Sequence, residues 1–368
     1  MRKIEVNRVV VKIGTNTMCT GDGTLDYSYI EDVVRQIYEL DKKGIEIILV
    51  TSGAIGSGSS ELRLGAHQKD IPEKQACAAV GQTTVMLAYR EAFRRYGKSV
   101  GQILLTYGAF SSRKRYLNLR KTMDKLFEIG VIPVVNENDV ISTDEIEEVF
   151  GDNDKLSALV ASKIDADLLI MLTDVDGLYD RNPRTDEDAR LISTVDEITK
   201  DIERIAGSKR NSRSVGGMKT KIAAAKIAME SGCHMIIANG RVEDAILRIV
   251  DGEEVGTHFT SKKKYTNRER WIIFASPMGK ILIDEGAEKA LRNGKSLLPW
   301  GIQGVEGKFK EGEIVRIGNF AKGITGYSSN EIMELKTACI NERKLGFQKS
   351  SNEKVVVSNE DIVILDGV

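Results

Sequence analysis

Histidine is scarce in this chain: three residues, His67, His234 and His258, among 368. No two of them have the spacing of paired metal ligands, so histidine-rich metal sites and serine-type triads are poor guesses. The four cysteines, Cys19, Cys77, Cys233 and Cys339, include no CxxC pair. They read as reduced thiols of a cytoplasmic protein, neither a disulfide framework nor a zinc site. No apolar run approaches the roughly 20 residues of a membrane span. The opening "MRKIEVNRVVVKIGTN" does not read as a signal peptide, because its apolar run is short and holds a lysine. A charge of one sign is also lacking: 53 Lys+Arg against 54 Asp+Glu leave a net of −1, which names no partner. Two familiar phosphate loops are absent as well. GxxxxGK[ST] does not occur, and "NGKS" at 293–296 is a decoy because position 289 is Lys289. GxGxxG does not occur either, so any nucleotide is handled by a different loop system.

What is present is a layered pattern. A hydrophobic content of 41% over this length is enough for one sizeable core and a smaller domain. Apolar, β-branched runs at 8–14, 45–53, 100–107, 131–136, 167–174 and 234–240 predict strands, several of them buried on both faces of a parallel sheet. Helical stretches at 28–43, 73–96, 117–129, 154–165 and 218–231 lie between them, and the alternation predicts a layered α/β domain. The pattern changes near residue 256, where "THFTSKKKYTNRERW" is polar and basic and reads as a linker or domain edge. Short strand-like runs with glycine turns follow, predicting a small, mostly β unit of about 100 residues. That tail is mildly basic, too weakly to establish nucleic-acid binding.

Several weak signals sit at the ends of the predicted strands. Lys12 interrupts a valine run just before Gly14, where ligands bind in open α/β sheets; an edge lysine that snorkels to water is the plain alternative. "TSGAIGSG" (51–58) is small enough for backbone N–H groups to approach an anion at a helix start, though ordinary strand-to-helix turns look the same. "IPVVNEND" (132–139) and "GDND" (151–154) crowd Asn136, Asn138, Asp139, Asp152, Asn153 and Asp154 around one loop. "TDVDGLYDRNPR" (173–184) sets Asp174 and Asp176 at the end of the most apolar strand, to hold a metal or a ribose or merely to solvate a turn. In "SVGGMKTKIAAAKIA" (214–228) a glycine pair runs into a helix, placing Lys221 near the positive end where a phosphate would sit. Two lysines, a glycine turn and Asp/Asn clusters on one α/β domain suit phosphoryl transfer, which rests on positioning and charge neutralisation.

Taken in order, "VVKIGTN", "VTSGAIGSG", "KQACAAVGQ", "VGQILLT", "IPVVNEND", "GDNDKLSALVA", "LLTDVDGLYDRNPR" and "GGMKTKIAAAKIA" resemble the glutamate 5-kinases of the amino-acid kinase family. "RERWIIFASPMGKILIDEGA" and "SLLPWGI" in the tail are similar to the PUA domain attached to many bacterial members. The resemblance covers nearly the whole chain. It implies a three-layer αβα sandwich with a mainly parallel sheet at 1–258, a linker at 259–270 and a small PUA domain at 271–368. It implies transfer of phosphate from ATP to the side-chain carboxylate of L-glutamate, the first step of proline synthesis, with Mg²⁺, in a cytoplasmic homo-oligomer. By this resemblance Lys12 and Lys221 contact the transferring phosphate and Asp154 orients them. Ser52, Asn136, Asp139 and Asn153 take the glutamate. Lys12, Thr173, Asp174, Gly216, Gly217, Met218, Lys219, Thr220 and Lys221 take ATP. The family commonly has "GTGGM" where this chain has "SVGGM", so Val215 has no side-chain contact to offer there.

The chemistry agrees with the composition. Glutamate's attacking carboxylate, with a solution pKa near 4.3, is already ionised at neutral pH. No general base is needed, which is consistent with so few histidines. Family members are commonly inhibited by proline, and a reductase accepting the labile acyl phosphate is a plausible partner. Other amino-acid kinases, such as acetylglutamate or uridylate kinases, share the lysines and glycine loops; "NEND…GDND" and the tail favour glutamate. PUA domains elsewhere bind RNA, but "KKK" (262–264) reads more simply as a solvated linker.

Overall fold

The computed structural model describes residues 4–21, 23–64, 70–106, 108–111, 113–141, 153–183, 185–207, 217–261, 266–344 and 354–365. It divides into two compact units, 1–106 with 120–264, and 107–119 with 265–368.

The first unit is built on an eight-stranded sheet of β1 (Arg8–Ile13), β2 (Glu46–Val50), β3 (Ser99–Leu105), β4 (Val131–Glu137), β5 (Leu168–Thr173), β6 (Thr194–Val195), β7 (His234–Asn239) and β8 (Thr257–Phe259). Their order is β3-β4-β2-β1-β5-β7-β8-β6, and every pair is parallel except β7 with β8. The six predicted strands are β1 to β5 and β7; Tyr107, at the end of the third prediction, lies outside the described residues. Chain order reverses around β1, with β2 on one side and β5 on the other. That switch point is where ligands bind in open parallel sheets, beyond the carboxyl ends of the strands.

Strand alternation decides which side chain faces which helix. Val9, Val11 and Ile13 of β1 pack in one core with Tyr29, Ile30, Val33 and Val85 from the helices Tyr27–Lys42 and Ile71–Arg94. The intervening Lys12 therefore faces the other side, where the helices Asn153–Lys163 and Gly217–Glu230 pack. On β4 the parity runs the other way for the same reason: Ile132 and Val134 join the first core, so Asn136 points toward the helix Ile71–Arg94. The helices Tyr27–Lys42 and Ile71–Arg94 each begin at an aspartate cap, Asp26 accepting from Tyr29 N at 3.1 Å and Asp70 from Glu73 N at 2.9 Å.

Two glycines let the helices Ala54–Leu62 and Ile71–Arg94 meet backbone to backbone. A Cβ on Gly58 would lie 1.8 Å from Cys77 O, and one on Gly81 would lie 1.9 Å from Ala54 O. Gly81→Ala is expected to lower stability by about 1–3 kcal/mol through overpacking. Thermal melting checks this, and an unchanged Tm would show that the helices separate freely.

The second unit has a five-stranded sheet, with β9 (Lys280–Ile283), β10 (Ile302–Glu306), β11 (Ile314–Ile317), β12 (Ala321–Ile324) and β13 (Ile362–Ile364) in the order β10-β9-β11-β12-β13. Ile281, Val315, Ile317 and Val357 fill its core, and helices Glu285–Arg292 and Ser329–Lys344 accompany the sheet. Part of the stretch read as a linker is regular. Phe259 closes β8, and Thr266 caps the helix Asn267–Phe274 in a reciprocal box with Glu269. Residues 262–265, including "KKK", lie outside the described residues. No helix among the described residues is long and apolar enough to cross a membrane.

Candidate active site

Lys12, Asp154 and Lys221 are far apart in sequence and meet in one buried centre. The Lys12 ammonium donates to Asp154 Oδ1, while Lys221 Nζ donates to Asp154 Oδ2 at 3.0 Å. Lys221 Nζ also reaches Gly217 O at 3.1 Å, and Thr220 Oγ1 donates to Asp154 Oδ2 at 3.0 Å. All three charged residues are more than nine-tenths buried. Burial alone would raise the Asp154 pKa, but the two ammoniums overcome it and hold the carboxyl well below its ordinary value. One carboxylate stands between two lysines and cannot cancel both charges. The surplus faces the first turn of the helix Gly217–Glu230, whose N–H groups and dipole also favour an anion.

A second cluster consists of amides. Asn153 Nδ2 donates to Thr51 O at 2.5 Å and to Asn136 Oδ1 at 2.7 Å, and lies 3.3 Å from Ser52 Oγ. Asn136 Nδ2 donates to Gln82 Oε1 at 2.7 Å, and Asn136 Oδ1 also accepts from Glu137 N at 2.9 Å. Strands β2 and β4 thus supply Ser52 and Asn136 from their carboxyl ends, and the helix beginning at Asn153 supplies the link to Asp154. Asp139 follows β4 and is buried, outside this hydrogen-bonded relay among the described residues. Burial, with the negative charge of Glu137 adding to it, pushes its carboxyl up to about 7.

On the other side of β1, Thr173 is buried at the end of β5 and its Oγ1 lies 3.1 Å from Asp174 Oδ1. Asp174 is exposed and accepts from Asn16 Nδ2 at 3.2 Å. Gly217, Met218, Lys219 and Thr220 form the first turn of their helix, with Lys219 exposed. Gly216, Val215 and Asp152 lie outside the described residues. The structure also brings in groups that sequence reasoning passed over. Gln82 was visible only as the residue after Gly81 in "KQACAAVGQ". Thr220, expected only at ATP, has its hydroxyl on Asp154. The spacing of the histidines did not announce one contact: β7–β8 pairing sets His234 Nδ1 3.0 Å from His258 Nε2, at the amino end of β7.

The profile of the "Amino acid kinase family" matches residues 7–239, and that of the "PUA domain" matches 279–343. A glutamate 5-kinase of Methanosarcina acetivorans is 47% identical over 99% of this chain and 97% of its own length. One from Methanococcoides burtonii is 50% identical over 92% of each chain. Among solved structures, a carbamate kinase from Giardia lamblia bound to AMP-PNP superposes with a TM-score of 0.50, at 18% identity, over 70% of this chain and 99% of its own. That last likeness is one of fold.

Proposed function

This chain belongs to the amino acid kinase family and, within it, to the glutamate 5-kinases, and from that premise we propose how its residues divide the work of phosphorylating L-glutamate with ATP. The acceptor's side-chain carboxylate oxygen forms a bond to the γ-phosphorus, the bond from phosphorus to the β,γ-bridging oxygen breaks, and ADP leaves with that electron pair. No proton has to move. The obstacle is repulsion between two anions, roughly 4 kcal/mol for unit charges 4 Å apart at an effective dielectric near 20. Lys12 and Lys221 offset it, and Asp154 holds both ammoniums in place. The observation carrying this reading is the buried Lys12–Asp154–Lys221 centre, with two cations on one carboxylate.

Ser52, Asn136, Asp139 and Asn153 are the proposed acceptor residues. Thr173, Asp174 and the turn from Gly216 to Lys221 are the proposed nucleotide residues. Kinase chemistry with ATP uses a nucleotide-bound metal ion, and Mg²⁺ is the ion proposed here. Triphosphate oxygens and water are proposed as its main ligands. When bound, it would supply further positive charge against the triphosphate. The reading gives catalysis to residues 1–258 and leaves 271–368 as the attached PUA domain.

ADP release with ATP, Mg²⁺ and a panel of L-glutamate, N-acetyl-L-glutamate and UMP tests the acceptor. Turnover with glutamate alone is expected; turnover only with another acceptor would overturn the substrate assignment. The Asp139 carboxyl gives a pH signature. An ammonium binds its ionised form, so binding must displace a proton below about pH 7. The glutamate KM is therefore expected to be flat above that pH and to rise toward tenfold per unit below it. Asp139→Asn should remove the slope; a slope that survives the substitution would place the titrating group elsewhere.

A further inference from the structure

The amide cluster has a fixed polarity, and among the described residues its two ends are unpaired. Thr51 O is an acceptor, so the Asn153 atom facing it is Nδ2. Glu137 N is a donor, so the Asn136 atom facing it is Oδ1, which leaves Asn136 Nδ2 to donate to Gln82 Oε1. Two backbone groups thus settle the orientation of all three amides. Among the described residues, two atoms of this cluster remain buried without a hydrogen-bond partner: Gln82 Nε2, a donor, and Asn153 Oδ1, an acceptor. Gln82 is 9% exposed and Asn153 3%. Leaving such groups unpaired is costly, and a ligand that completes them would offset that cost.

Resting on the glutamate reading above, we propose that Gln82 is a substrate-positioning and specificity-determining residue whose Nε2 donates to the α-carboxylate of the acceptor amino acid. Asn153 Oδ1 then accepts from the ammonium. The order of contacts supports this assignment. Asp154 carries the lysines, Asn153 is its neighbour in the helix, Asn136 follows by hydrogen bond, and Gln82 ends the series. Gln82 is thus the last member of the series that runs from Asp154, three residues removed from the carboxylate that holds the lysines. An α-amino acid brings one acceptor and one donor on a single carbon, the complement of the two unpaired atoms. The close crossing at Gly58 and Gly81 holds the backbone beside Gln82 rigidly, so the amide is preorganised.

The test is steady-state kinetics of the purified full chain and of Gln82→Glu, with L-glutamate and with its α-amide as acceptors. Gln82→Glu keeps the oxygen that accepts from Asn136 and replaces the outward donor by an anion. The glutamate KM is expected to rise by about 10- to 100-fold, as for loss of a charged hydrogen bond, with the ATP KM unchanged. The preference for glutamate over its α-amide should shrink, because an amide can donate where a carboxylate is repelled. Wild-type turnover of glutamate with an unaltered KM and preference in the variant would overturn the proposal alone. A joint fall in kcat and both affinities, with a lower Tm, would make Gln82 structural and overturn it too. Failure of the wild type to use glutamate would overturn the reading beneath it. If Gln82→Glu does not fold, Gln82→Met serves instead, with the same rise in glutamate KM expected and an unchanged KM contradicting the proposal.

Discussion

Lys221→Ala is expected to lower kcat by roughly 10²–10³-fold, the loss typical of removing one preorganised donor from a developing anion. The fold should survive it. Asp154 keeps its bonds from Lys12 and Thr220, so the carboxylate is not left bare. The glutamate KM should move little, because Lys221, four residues into the helix that starts at Gly217, belongs to the turn proposed for the nucleotide and is not among the residues proposed for the acceptor. Lys221→Arg should recover little, since a planar fork cannot replace a compact ammonium bonded to both Asp154 and Gly217 O. Near-normal turnover in Lys221→Ala would refute its role.

Asp154→Ala is expected to be more damaging, because it strikes activity and stability together. It strips the shared partner from two buried ammoniums, and an uncompensated buried charge costs about 3–5 kcal/mol. Turnover should fall at least as far as in Lys221→Ala, since neither lysine is then held on the phosphate. The pH dependence of stability gives an independent readout. Asp154 titrates below its unfolded value, so its contribution is fully present above the ordinary aspartate range and is lost as pH falls through its lowered folded pKa. The variant should lack that acid-side loss. Equal melting curves for variant and wild type across this range would contradict the ion-pair account.

Much of this architecture was legible in the sequence because strands buried on both faces are written as unbroken apolar runs. β5 and β7 are of that kind, and Lys12, which interrupts the apolar run of β1, marks the candidate site. The short strands β6 and β8 were not legible. They have two and three residues and are held by pairing between distant segments, with no run of their own to announce them. The helix at 267–274 hid in a basic stretch because its apolar residues are confined to its end. At the site, charge made Lys12, Asp154 and Lys221 conspicuous. Gln82 is a neutral residue in a long helix, and only the crossing at Gly81 and the parity of β4 bring it to Asn136. The approach of His234 to His258 is likewise a product of strand pairing, invisible in their spacing.

In the proposed reaction a carboxylate of glutamate receives the phosphoryl group at the Lys12–Asp154–Lys221 centre. The most direct measurement is trapping with hydroxylamine during turnover of ATP, Mg²⁺ and L-glutamate, quantifying ADP and hydroxamate side by side in wild type and Lys221→Ala. One γ-glutamyl hydroxamate per ADP, with both falling together in the variant, is the predicted result. ADP without hydroxamate, or a yield indifferent to Lys221, would contradict it.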